Sequence, residues 1–312
     1  MRILEANDVH RVMNFPDLIE ALREAFGSPA GTPQRMVFPL DPGQSHDAFA
    51  VLPAWNTKAM GVKSFTYLPS NPEKGYPVLH AKILLFSRET GEPLALVDGI
   101  SVTHWRTTAV SALAADYLAP KDASRLLVCG TGHLSTYAAL AHSTVRPIRE
   151  CSIWGRNPEK AAKIVEALKA SRDDIEFTVA TDLESAARNA DVISCVTGSH
   201  EPVILGDWVT AGTHTDFIGN HEKHGRECDT ELVTKSTLYV DSRLNVLNEA
   251  GELLIPIDEG KITTDDVLGE LSELCAGTVQ GRGDQEGITL FKSVGTALSD
   301  LTAAYLAFER QT

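Results

Sequence analysis

The apolar positions of this chain follow two regimes. Near the N-terminus Leu18, Ile19, Leu22 and Phe26 recur at helical spacing within residues 15–26 and Gly27 closes the run, which predicts a helix. A Pro- and Gly-rich passage follows, then short strand-like runs at 48–52, 60–66, 79–87 and 94–97, with Glu89-Thr90-Gly91-Glu92 as a hairpin turn between the last two. Residues 1 to about 100 thus read as an α+β unit with antiparallel strands. Residues 103–118 read as a long amphipathic helix leading through Pro120 and Lys121 into the next strand. Beyond it the pattern alternates as in a doubly wound sheet: strands at 125–129, 150–154, 175–179, 192–196, 213–217 and 238–241, helices at 133–143, 158–170, 183–189 and 229–234. The acidic-polar stretch 258–273 carries a short helix, and 292–310 reads as helix able to cross back onto the first unit. The expected fold class is α/β: a Rossmann-type domain at 120–292 and an α+β domain formed by 1–119 with 293–312.

The chemistry concentrates first in Leu126-Leu127-Val128-Cys129-Gly130-Thr131-Gly132-His133-Leu134-Ser135, where an apolar strand empties into a Gly-x-Gly turn that opens an alanine-rich helix. Gly130 allows the tight turn and Gly132 lets a pyrophosphate approach the backbone. The helix N-terminus then meets the phosphates with unpaired N–H groups and partial positive charge. Thr131, His133 and Leu134 belong to this turn, and Ser135 replaces the third small residue of the fingerprint. At the end of the second strand an NAD enzyme usually carries a carboxylate for the ribose hydroxyl. Here the chain reads Trp154-Gly155-Arg156-Asn157-Pro158, a guanidinium and an amide suited to a 2′-phosphate, so the expected cofactor is NADPH in preference to NADH. Thr197, just past the strand at 192–196, lies at the sheet edge where nucleotides sit and joins the cofactor-binding set.

Composition narrows the class. A formal charge of −14 argues against a nucleic-acid partner, whose affinity Lys and Arg would carry. No apolar run approaches a membrane span, and the N-terminus lacks the apolar core of a signal peptide. The five cysteines are scattered, odd in number and without a C-x-x-C pair, as in a reduced cytoplasmic protein. The histidines form no H-E-x-x-H or similar set, so no metal is expected. In the first unit Arg35, Lys63 and Arg106 stand in apolar or turn-forming surroundings. A Lys inside a strand-like run costs desolvation energy unless an anion meets it.

Taken with Gly61-Val62-Lys63, Thr103-His104-Trp105-Arg106-Thr107-Thr108-Ala109, Gly130-Thr131-Gly132, Arg226-Glu227 and Phe291-Lys292-Ser293-Val294-Gly295, the chain resembles the ornithine cyclodeaminase/μ-crystallin family nearly end to end. The resemblance implies a homodimer joined through the N-terminal domain, with the C-terminal helix returning to that domain and the active site in the cleft between domains. It implies NAD(P)(H)-dependent chemistry on a small α-imino or α-amino acid. Arg35, Lys63 and Arg106 would clamp the substrate carboxylate, Lys63 would also donate a proton, and Thr107 and Val294 would join the cofactor-binding set. His221 stands where the family's cyclodeaminases carry a catalytic Asp. An imidazole does not replace a permanent carboxylate beside an ornithine ammonium, but suits a general acid in imine reduction. The expected activity is therefore reduction of an imino acid. Ornithine cyclodeamination and NADPH binding without catalysis are the alternatives.

Overall fold

A computed structural model describes residues 1–283 and 286–311. The chain divides into two compact units, Met1–Arg106 with Thr296–Thr312, and Thr107–Gly295. The expectation placed the boundary in the loop after residue 119, whereas this division falls inside a helix.

The first unit opens with β1 (Arg2–Leu4), α1 (Ala6–Val12) and α2 (Phe15–Phe26). In α2, Asn14 accepts the Asp17 backbone N–H at 3.0 Å, satisfying one of the donors a helix start leaves open, and Pro16 suits the first turn. Next come β2 (Met36–Pro39), β3 (Ala48–Trp55), β4 (Ala59–Tyr67), β5 (Leu79–Ser87) and β6 (Pro93–Asp98). They form a six-stranded sheet in the order β1-β6-β5-β4-β3-β2, antiparallel except for β1 on β6. In β3 the residues Ala50, Leu52 and Ala54 are buried while Phe49 and Trp55 are exposed, the alternation of a sheet covered on one face.

The chain leaves this unit along α3 (Gly99–Leu118). The sequence pattern suggested an amphipathic helix, but from Thr107 onward nearly every residue is buried, Thr108 and Ser111 included. Small side chains (Ala109, Ala112, Ala114, Ala115) let neighbours close on all sides, as in a core helix.

The second unit comprises β7 (Arg125–Cys129), α4 (Leu134–Val145), β8 (Glu150–Trp154), α5 (Pro158–Ser171), β9 (Glu176–Val179), α6 (Leu183–Asn189), β10 (Val192–Cys195), β11 (His214–Phe217), α7 (Thr230–Lys235) and β12 (Ser236–Val240). It continues with α8 (Arg243–Glu249), α9 (Gly251–Asp258), β13 (Val267–Glu270), α10 (Leu271–Ala276) and β14 (Ile288–Lys292). The eight strands are parallel in the order β13-β12-β14-β11-β10-β7-β8-β9. This is a doubly wound Rossmann-type sheet.

Two expectations change here. Lys292 does not start the last helix, which begins at Ala297; it ends β14, an interior strand between β11 and β12 whose apolar Leu290 and Phe291 are buried on both faces. Gly295, at φ +85°, ends that run, and Thr296 caps the final helix, α11 (Ala297–Arg310). The stretch 258–273 carries a short helix as expected, a single 3-10 turn at Thr264–Asp266, but continues into the strand β13 and the start of α10. The helix α11 packs on α2 and on β3, β4 and β5 of the first unit. Gly61 permits this closeness, since a Cβ there would lie 2.9 Å from Leu301 Cδ1 and 3.0 Å from the Leu84 carbonyl oxygen.

Candidate active site

In the second unit the strand order reverses at β7, with β8 and β9 to one side and β10 and β11 to the other. A ligand crevice opens at the carboxyl ends of the strands at such a point. A cavity of about 500 Å³ lies there, walled by Gly130–Gly132, by Trp154–Asn157 with Lys160, and by Val196–Ser199 with Val203. Gly130 has φ +134°, and a Cβ on it would meet Val196 Cγ2 at 2.8 Å, so only glycine makes this turn. A Cβ on Gly132 would meet nothing within 4 Å, so its absence leaves the backbone open to the cavity, as a pyrophosphate seat requires. His133 is exposed at the N-cap of α4 and Leu134 is half-buried against the core. Ser135 is fully buried and its hydroxyl donates to the Gly130 carbonyl at 2.8 Å, so it braces the turn from beneath.

Arg156 and Asn157 are exposed at the end of β8. The Asn157 carbonyl oxygen accepts the Lys160 N–H at 3.1 Å, so this side chain caps α5 while its amide N–H₂ stays on the cavity rim with Arg156 and Lys160. Thr107 has a buried hydroxyl without a hydrogen-bond partner, and Val294 packs against the core of the sheet. The open glycine cradle and the orphaned Thr107 hydroxyl together fit a bound dinucleotide.

Thr197 is held differently from what its sequence position suggests. Its backbone N–H and its hydroxyl both donate to one oxygen of Glu227, at 2.6 and 2.8 Å. The other oxygen of Glu227 accepts the N–H groups of Gly219 (2.8 Å) and Asn220 (3.3 Å). Burial pushes the Glu227 carboxyl up to about 7, Lys292 opposing and Glu252 adding to the shift. Lys292, at 0% exposure, pairs with Glu252 at 2.9 Å and donates to the Asn220 carbonyl at 2.7 Å. His221, next in the chain, begins an exposed stretch at 221–224.

The first unit assembles the basic cluster. Lys63 on β4 is buried, and its Nζ donates to Asp300 Oδ1 on α11 at 2.9 Å and to Thr103 Oγ1 on α3 at 2.5 Å. Arg106, one turn further along α3, donates through Nε to the same Asp300 oxygen at 3.0 Å. Arg35, in the loop before β2, is near enough for its charge to act on Lys63. Burial holds Lys63 below the usual lysine range; Asp300 counters this, while Arg106 and Arg35 add to it. Burial acts to raise Asp300, but Arg106 and Lys63 outweigh it and keep the carboxylate ionised. Buried Lys63 and partly exposed Arg106 thus share one carboxylate oxygen, leaving the group net positive and suited to an anion.

The model of the ornithine cyclodeaminase/mu-crystallin family matches residues 1–312. The chain belongs to that family. This family member is 46% identical over 313 residues to the Delta(1)-pyrroline-2-carboxylate reductase of Colwellia psychrerythraea, covering 99% of each chain. It is 32% identical over 298 residues to the ketimine reductase mu-crystallin of Rattus norvegicus, covering 94% of this chain and 90% of that one. Among solved structures, the Thermococcus litoralis Delta(1)-pyrroline-2-carboxylate reductase in complex with NADH and L-proline superposes with a TM-score of 0.93 at 34% identity, covering 99% and 97% of the two chains.

Asp300, Thr103, Glu227, Glu252, Lys292, Asn220 and Lys160 carry the geometry but were not singled out by the sequence as site residues. A signal existed for two of them. Lys292 ends an apolar run, and Asp300 follows Ala297-Leu298-Ser299 on an otherwise buried helix face, both placements that call for a partner.

Proposed function

We propose that this member of the ornithine cyclodeaminase/mu-crystallin family is an NAD(P)H-dependent reductase of a small α-imino acid, with Delta(1)-pyrroline-2-carboxylate as the first candidate and NADPH as the preferred cofactor. The observation that carries the reading is the net-positive group in which Lys63 and Arg106 share Asp300 Oδ1. In it Arg106 keeps its outer guanidinium nitrogens for a planar carboxylate, and Arg35 adds the third charge. Fixing the carboxylate fixes the imine carbon beside it, which converts a bimolecular encounter into a positioned step. Bound NADPH supplies the hydride that reduces that carbon. Lys63 Nζ, with its lowered proton affinity, supplies the proton the nitrogen takes up. His221 is the second candidate donor, and loss of roughly tenfold or more in kcat on His221→Ala would transfer the role to it.

Gly130, Thr131, Gly132, His133 and Leu134 form the proposed pyrophosphate seat, and Arg156 with Asn157 and Lys160 the 2′-phosphate subsite. Names of relatives support the substrate class: the Colwellia and Thermococcus proteins are pyrroline-carboxylate reductases, and the latter holds NADH and L-proline. His221 in place of a catalytic Asp weighs against cyclodeamination. The test is a panel of pyrroline-2-carboxylate, pyruvate with ammonia or methylamine, oxaloacetate with ammonia, and ornithine. Net NADPH consumption with an imino acid supports the reading. Proline and ammonia from ornithine without net cofactor change would overturn it in favour of a cyclodeaminase, and NADPH binding without turnover in favour of a binding protein.

The active form is proposed to be a homodimer. Met36 and Phe38 on β2 lie opposite Val51 and Phe49 on β3, on the sheet face away from buried Ala50 and Leu52. Met36, Phe38 and Phe49 are 48%, 47% and 38% exposed, an apolar face that a second copy would cover. The protein is proposed to be cytoplasmic, in keeping with five cysteines that form no disulfide. Among the described residues no helix is long and apolar enough to cross a membrane.

A further inference from the structure

The carboxylate of Glu227 lies outside the substrate cluster, is fully buried, and is bonded to neither ligand-facing glycine turn nor phosphate subsite. We propose that Glu227 is a positioning residue that staples the loops leaving β10 and β11 into one rigid shelf, on which the dinucleotide is seated and from which His221 projects. The inference rests on the dinucleotide reading of the crevice and extends it to a residue outside the lining.

Four donors converge on this single side chain, two from Thr197 after β10 and two from Gly219 and Asn220 after β11. Each loop takes one carboxylate oxygen, so the group acts as a two-ended clamp. The loops also touch directly: a Cβ on Gly219 would lie 2.1 Å from Thr197 N, so residue 219 has no side chain to hold them apart. Asn220 adds a cross-tie, its Nδ2 donating to the Ser199 carbonyl at 2.5 Å. From the opposite side Lys292 holds the Asn220 carbonyl, and Glu252 both pairs with Lys292 and accepts the Glu227 backbone N–H at 3.1 Å. Asn220, the residue preceding His221, is therefore fixed at both its N–H and its C=O. Val196, Thr197 and Ser199, on the first loop, wall the dinucleotide cavity. Nothing in the arrangement gives Glu227 a bond to spare for ligand, which makes its contribution indirect.

A clamp of this kind has a signature that general destabilisation lacks. Glu227→Gln replaces one acceptor oxygen by a donor N–H₂, which must face the N–H groups of one loop and repel it, while size and shape are kept. The expected result is folded protein whose Kd for NADPH, read by the fluorescence of the bound reduced nicotinamide, rises at least about tenfold. Its KM for the imino acid, which binds through the other unit's residues, should stay within about twofold. Glu227→Asp keeps the charge on a shorter arm and should fall between wild type and Glu227→Gln. Both variants binding NADPH as tightly as wild type, or Kd and KM rising together, would overturn the proposal.

If neither variant folds, hydrogen exchange on the wild-type protein decides. The amides of Thr197, Gly219 and Asn220 should open together, with protection factors within about threefold of one another, and be slowed jointly by NADPH. Independent opening of the two loops would contradict it. The Kd readout needs no turnover, so a wild-type protein that binds NADPH but reduces no imino acid would sink the reductase reading and leave the clamp standing.

Discussion

Replacing Asp300 by Asn is the most informative single perturbation, because the carboxylate oxygen it neutralises is shared by Lys63 at 2.9 Å and Arg106 at 3.0 Å. Unit charges at that separation attract by roughly 6 kcal/mol at an effective dielectric near 20, before the cost of taking them out of water. The net worth of a hydrogen bond to a charged group is smaller, about 1.5–3 kcal/mol. Burial, Arg106 and Arg35 all push Lys63 toward its neutral form, and Asp300 is the group that opposes them. Its removal therefore lowers the Lys63 pKa further. Lys63 then loses its proton at a lower pH, and with it one charge of the carboxylate clamp. In Asp300→Asn the KM for the imino acid should begin to rise at a lower pH than in wild type, by up to roughly tenfold per pH unit, and recover in acid. Thermal melting should show a loss of about 3 kcal/mol, the low end for a broken buried pair, since Asn keeps the shape. Steady-state kinetics across pH at saturating NADPH reads both limbs. An unshifted KM profile, or a pH-independent fall in kcat alone, would refute the assignment of Asp300 as the counter-ion that keeps Lys63 charged.

Arg156→Asp should lower kcat/KM with NADPH by roughly tenfold to a hundredfold and leave NADH within a few-fold, measured with both cofactors under one salt condition; equal losses would remove Arg156 from the phosphate subsite. Burial lowers His214 from 6.5 to about 3. The native state therefore binds fewer protons than the unfolded chain between those values, and stability present above pH 6.5 is lost as pH falls toward 3. His214→Asn keeps a partner for Thr289 Oγ1, which His214 Nδ1 contacts at 2.9 Å, and does not titrate. Relative to its own stability at pH 7, it should lose roughly 3–5 kcal/mol less than wild type on acidification, by denaturant unfolding. Phe38→Glu places a charge on the exposed apolar face of the first sheet and should convert a dimer to monomer in light scattering; a dimer unchanged by it would place the interface elsewhere.

The alternation of strands and helices in the second unit is legible because each of β7, β8 and β10 is a short apolar run bounded by turn or cap residues, and Gly130 and Gly132 mark the turn that matters. β14 was not legible. Its Ile288–Lys292 run is too short to tell from the first turn of the helix that follows, and only pairing with β11 and β12 decides. The substrate cluster shows the same division. Arg35, Lys63 and Arg106 are visible as charges in apolar surroundings, but Asp300 is 237 residues from Lys63 in sequence and joins it only when α11 packs on β4. Glu227 looks like an ordinary loop acid, and its role comes from two strand ends that the sheet places side by side.

The carboxylate clamp is tested most directly by comparing two imines that differ only in that group. With NADPH in excess, Delta(1)-pyrroline-2-carboxylate should be reduced to proline with one NADPH consumed per proline formed. The carboxylate-free Delta(1)-pyrroline should react at least about a hundredfold more slowly in kcat/KM, the worth of two charge-assisted contacts. Equal rates for the two imines, or no NADPH consumption with either, would contradict the account.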